Sequence, residues 1–238
     1  MLPGARVKML DPDILGQLTA PFDAATGAML DQMELGAATA CLDLSRGPAG
    51  IRDQLSARLG PAGRVAGPQD APPPAGFDLV HARFRSAFEG RQGERLRAMI
   101  ALTRPGGVVA VQEPVIGTWR CYPSRTAWDR LLAAIATAVE RSGGDLSAGR
   151  SSYRLFRRAG LEDVRVRAAV VTLQDAHPLM RLPIVLATAL RPQIVAGGLM
   201  TGDGLDAALR DCERSALDGE TFVTSYLVTQ VWGRRAEG

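Results

Sequence analysis

Few residues in this sequence have both the chemistry and the setting of a reactive site. Only two histidines are present, His81 and His177. His81 lies near the end of the apolar run Phe77–Arg83, and a histidine there can serve as a base or as a hydrogen-bonded structural group. Glu113 closes a second apolar run, Val108–Glu113, as an acid facing a crevice or as a cap for the next segment. His81 and Glu113 are therefore the candidate catalytic residues. Asp43 closes a third, shorter run and precedes a loop of small residues. There it can fix the loop or hold a ligand through the same hydrogen bonds. Trp119 and Tyr122 are candidate substrate-wall residues, with aromatic core as the alternative for them and for Trp128. His177 precedes Pro178 in a loop, and Arg83 and Arg85 read as solvated side chains. The three cysteines, Cys41, Cys121 and Cys212, are odd in number and far apart, which fits neither a disulfide framework nor a zinc site; no metal is expected. No motif assembles a Ser-His-Asp triad.

The elements that must position these residues alternate. Residues 39–43 read as a strand, Leu44–Gly50 as a small-residue loop and Ile51–Leu59 as a helix, the opening of a nucleotide-binding α/β unit. Arg64–Gly67 suits a brief second strand. Gly67–Gly76 holds four prolines, three consecutive, and cannot be helical. Phe77–Arg83 reads as a buried parallel strand, Glu94–Thr103 as an amphipathic helix, Arg104–Gly107 as a turn and Val108–Glu113 as another buried strand. Helices are predicted over Trp128–Glu140 and Tyr153–Ala159, single strands over Leu161–Leu173 and Thr221–Trp232, and broken helix over 178–217. The pattern predicts an α/β fold: a mostly parallel sheet with helices on both faces. Residues 1–38 form an N-terminal helical segment and 39–238 the main domain, with a helical insertion at about 174–220 that offers a lid or a dimer surface.

Composition narrows the function classes. The chain has 238 residues, 46% hydrophobic and 22% charged, which is ordinary globular composition. Lys8 is the only lysine among 28 basic residues, and 25 acids are interspersed with the arginines, so nucleic acid is not implied. No apolar run approaches the ~18–20 residues of a membrane span. Met1–Lys8 lacks the apolar stretch of a secretory signal, and a cytoplasmic location is expected.

Four segments together resemble the class I S-adenosylmethionine-dependent methyltransferases, in the branch acting on small molecules. Cys41–Gly50 resembles that family's glycine-rich first motif, Phe77–Arg83 its fourth-strand motif, Leu102–Gly107 the turn before strand five and Ala159–Val164 the turn before strand six. The resemblance implies a Rossmann-like sheet with an antiparallel C-terminal strand, a small-molecule substrate, and S-adenosylmethionine held by Asp43, Ser45, Gly47 and Asp70. The family's loop runs roughly Gly-x-Gly-x-Gly; here those positions are Ser45, Gly47 and Ala49. Side chains at 45 and 49 stand where the ligand would approach. The ribose acid is expected near Gln69, where only the neighbouring Asp70 is available. Only ten residues separate Gly67 from Asp78, where the family has a helix, a third strand and a loop. A parallel crossover takes about a dozen residues or more, so one αβ unit is expected to be missing. Cofactor binding is accordingly expected to be weak or absent. Three readings follow: a methyltransferase relative with an eroded donor site, a donor-free catalyst of cyclisation, isomerisation or elimination, or a non-catalytic binding protein.

Overall fold

The computed structural model describes residues 12–33, 35, 40–70 and 76–237. The expected helical segment 1–38 therefore lies partly outside the described residues, as do Thr39 of the first expected strand, residues 71–75 of the proline-rich stretch and the side chain of Ala49. In chain order the helices are α1 (Pro12–Thr19), α2 (Asp23–Leu30), α3 (Arg52–Leu59), α4 (Arg85–Glu89), α5 (Gln92–Leu102), α6 (Thr126–Arg141), α7 (Gly149–Arg158), α8 (Leu182–Ala189), α9 (Arg191–Ala196) and α10 (Gly202–Leu217). The strands are β1 (Ala40–Asp43), β2 (Arg64–Ala66), β3 (Phe77–Arg83), β4 (Thr103–Val115), β5 (Arg120–Tyr122), β6 (Glu162–Ala169), β7 (Thr172–Leu173), β8 (Phe222–Thr224) and β9 (Leu227–Arg234).

Six strands form the main sheet in the order β2-β1-β3-β4-β9-β6. Pairings within β2-β1-β3-β4 are parallel, and β9 runs antiparallel between β4 and β6. This is a Rossmann-like sheet of the methyltransferase type, and among the described residues no strand lies beyond β2. The chain moves outward from β1 to β2 and then returns to β3 on the other side of β1. The topological switch point, where ligands bind in open α/β sheets, is thus between β1 and β3.

Strand alternation sorts the central side chains onto two faces. Leu79 on β3 and Ala110 on β4 pack with Met29, Leu30 and Leu55 from α2 and α3. Val80, Ala82, Val109 and Val111 pack with Leu96, Met99 and Phe156 from α5 and α7. The insertion helices form a third cluster around α6, whose Trp128, Leu131, Leu132, Ile135 and Val139 recur at helical spacing on one buried face.

Three sequence expectations are corrected. Thr221–Trp232 is not one strand: the ladder breaks at Ser225 and Tyr226, because Tyr226 turns inward and donates its hydroxyl to the carbonyl of Leu18. Leu161–Leu173 divides in the same way, since Ser225 N donates to Val171 O (2.8 Å) and Ser225 Oγ accepts from Val171 N (3.0 Å). The pieces on the far side of these breaks join β5 in a second sheet, β5-β8-β7, which sequence pattern did not reveal. Finally, Arg104–Gly107 lies within the extended run of β4 as an irregularity. The register with β3 shifts there and Gly106 takes φ +71°, a conformation suited to glycine.

Candidate functional site

The carboxyl ends of β1, β3 and β4 bring Asp43, His81 and Gln112 into one buried row. Asp43 accepts four hydrogen bonds. Oδ1 takes Ser45 N (3.0 Å), Ser45 Oγ (2.6 Å) and His81 Nδ1 (3.0 Å), and Oδ2 takes Ile51 N (2.6 Å). Burial alone would raise its pKa, but the bonds from His81, Ser45 and Ile51 outweigh it and hold the carboxyl at about 2. The acid thus ties the turn after β1, including Gly47 at φ +46°, to the start of α3.

His81 has neither ring nitrogen to spare. Gln112 Oε1 accepts from Thr26 Oγ1 and Gln230 Nε2, both at 2.9 Å, which directs its amide nitrogen to His81 Nε2 at 3.0 Å. His81 Nε2 is then the acceptor, and Nδ1–H donates to Asp43. The side chain is fully buried. Thr26, Gln112 and Gln230 were not singled out in the sequence. They come from α2, β4 and β9, and no local pattern links them.

Ser45 and Arg83 close the switch point. Ser45 Oγ donates to Asp43 on β1 and accepts from the backbone N–H of Arg83 on β3 (2.9 Å), so one hydroxyl spans both strand ends. Arg83, expected at the surface, is 2% exposed. Its guanidinium donates to Asp23 Oδ1 (2.8 Å) and to the carbonyl of Thr19, pinning α1 and α2 over the crevice. Strand parity held the signal for this correction: Arg83 shares a face with Leu79 and His81. Arg85 is likewise only part-exposed, donating to Leu44 O (2.7 Å) and Glu89.

The other candidates lie apart from this row. Asp70 accepts from Gly67 N (2.5 Å) in its own turn and pairs with Arg52 at 3.5 Å. Trp119 is buried in an aromatic cluster with Trp128 and Tyr226, at ring separations of 5.8 and 5.1 Å. Tyr122 is exposed and stacks on Phe222. His177 accepts from Leu179 N, capping a short helical turn. Glu113, one residue beyond Gln112, points to the opposite face of the sheet. Its carboxyl accepts from Ser86 N (2.8 Å) and Ala87 N (3.1 Å), so it caps α4 rather than the segment that follows it. Burial pushes its pKa up to about 7 against the pull of those bonds.

Among the described residues there is no cluster of three or more His, Cys, Asp or Glu that could hold a metal ion, and no helix is long and apolar enough to cross a membrane. All three cysteines are buried and free.

No family model matches the sequence, and no curated protein matches it either. Solved structures do share its fold. A candidate methyltransferase from Bacillus halodurans C-125 aligns over 88% of this chain and 98% of its own, with a TM-score of 0.53 at 11% identity. Phosphoethanolamine N-methyltransferase 2 from Haemonchus contortus, solved with S-adenosyl-L-methionine, aligns over 96% of this chain with a TM-score of 0.53 at 11% identity. The same nematode enzyme in complex with phosphomonomethylethanolamine and S-adenosylhomocysteine aligns over 89%, with a TM-score of 0.51 at 11% identity. This chain spans 52–58% of the nematode enzyme's length. The fold is that of the class I S-adenosylmethionine-dependent methyltransferases.

Proposed function

We propose that this chain is a methyltransferase-fold protein that does not work as an S-adenosylmethionine-dependent transferase, because it has turned the donor crevice into a polar core. The observation that carries this reading is the Ser45 hydroxyl bridging β1 and β3 beneath the Arg83–Asp23 pair. A class I donor site needs open backbone at the loop after β1 and free carboxylates toward the cofactor. Here Asp43 is committed to four donors of its own chain, and Asp70 to Gly67 N and Arg52. These residues do not fit the cofactor. A missing ribose carboxylate removes hydrogen bonds of ~1.5–3 kcal/mol each, and at 1.4 kcal/mol per decade two such bonds are at least ~100-fold in affinity. The kept fold and its small-molecule relatives favour a role on a small metabolite, without methyl transfer.

Thermal melting tests this directly. A ligand at 100 times its Kd stabilises by ~2.7 kcal/mol, or roughly 5–10 °C for a chain of this size. At 1 mM S-adenosylmethionine the expected shift is under ~1 °C. A shift of 5 °C or more restores the transferase reading.

A further inference from the structure

The face of the sheet opposite the closed crevice holds a cavity of about 260 Å³. Its walls are Leu44, Ala82, Leu96, Met99, Val111 and Phe156, from β3, β4, α5, α7 and the turn after β1. Interiors pack at crystal density and rarely leave voids much larger than a water. This one is framed rather than collapsed. Gln92 Nε2 donates to Ser152 Oγ (2.8 Å) and Ala148 O (3.0 Å), strapping the start of α5 to α7 across its upper end.

Polar groups border the cavity at the carboxyl edge of the sheet, where Arg85, Arg95 and Glu113 stand. The Glu113 carboxyl is occupied by Ser86 N and Ala87 N. Arg95 uses Nε on Gly90 O (2.9 Å) and Nη2 on Glu89 Oε2 (2.5 Å). Arg85 uses Nη1 on Leu44 O and Nε on the same Glu89 carboxylate. The hydrogen bonds these two side chains make to the described residues run through Arg95 Nε and Nη2 and Arg85 Nε and Nη1. Arg46 Nε pairs with the other Glu89 oxygen (2.5 Å), so three guanidiniums share one carboxylate at the polar end, and about 10 Å of apolar helix wall, from Arg95 to Leu102, leads away from them. At ~30 Å³ for each water-sized group, the space holds about nine such groups.

From this we propose that the cavity binds a small aliphatic carboxylate of about eight to ten carbons, its chain along α5 and its carboxylate on Arg95 and Arg85. Charge complementarity chooses the anion, because a cationic amphiphile would set its charge beside two guanidiniums. Volume and apolar lining choose the chain. The site is independent of the switch-point crevice, so it stands or falls separately from the reading of the donor site.

Calorimetric titration of the full chain with octanoate, octylammonium and octanol tests the proposal. The expected result is octanoate binding with Kd below about 0.5 mM, in the range for a ligand of about ten heavy atoms. Octylammonium and octanol should bind at least tenfold more weakly. Arg95→Gln, at a part-exposed position, should weaken octanoate by about tenfold and leave octanol unchanged. No octanoate binding up to 2 mM overturns the site. Equal binding of octanoate and octylammonium to the unmodified chain overturns the anion assignment, and needs no variant to read.

Discussion

Asp43→Ala will lower folding stability by about 3–5 kcal/mol, the range for removing one partner from a buried charged network. The aspartate is 1% exposed and accepts from Ser45 N, Ser45 Oγ, Ile51 N and His81 Nδ1. Alanine would leave three buried N–H groups without acceptors, at ~1–3 kcal/mol each before relaxation. The turn after β1 would also lose its tie to α3. For a chain of this size the melting temperature should fall by roughly 10 °C. Asp70→Ala, at a half-exposed turn, should cost under about 1 kcal/mol. Denaturant unfolding of both variants checks the contrast. A ligand-holding acid with no structural task would give the opposite result, an Asp43→Ala variant as stable as the parent. The pH dependence has a defined sign. A carboxyl held at about 2 contributes stability that is complete above its ordinary 3.8 and is lost as pH falls through 2. That acid limb should vanish in Asp43→Ala.

Glu113→Gln will flatten a second pH dependence of opposite sign. Burial holds this carboxyl at about 7, above its ordinary 4.5, so the folded chain keeps a proton that the unfolded chain releases. Stability from this group is complete below pH 4.5 and declines until about pH 7, beyond which it is flat. At ~1.4 kcal/mol for each tenfold change in proton affinity, the decline is on the order of 3 kcal/mol. Glutamine removes the decline and keeps an oxygen for one of the two N–H groups at the start of α4. Denaturant midpoints between pH 4.5 and 7.5 should fall for the parent and change little for the variant. Parallel slopes for the two proteins would contradict the assignment.

The central sheet was legible because its signals are local. Phe77–Arg83 is a strand as read, but the crossover expectation did not hold, since β2 and β3 flank β1 as parallel strands with only ten residues between them. The superfamily resemblance rested on segments such as Cys41–Gly50 and Phe77–Arg83, whose order survives in the fold as β1 with its following turn and β3. What the sequence could not show is pairing between distant segments. Thr26 meets Gln112 across 86 positions and Gln230 meets it across 118, and neither residue carries a local pattern pointing to the other. The breaks at Tyr226 and Val171 were hidden for the same reason: Thr221–Trp232 reads as unbroken strand until α1 supplies the carbonyl that Tyr226 turns to reach. At Arg83 residue type and strand parity point in opposite directions. An arginine suggests solvent, but a place two residues beyond His81 on one strand means burial on the same face.

The proposed loss of donor binding rests on the switch point, where Ser45, Arg83 and Asp23 stand between β1, β3 and the N-terminal helices. Calorimetric titration of the full chain with S-adenosylmethionine and S-adenosylhomocysteine measures that claim most directly. No saturable heat is expected up to 1 mM for either compound. A one-to-one isotherm with Kd tighter than about 10 µM, the affinity of an ordinary working site, would contradict it.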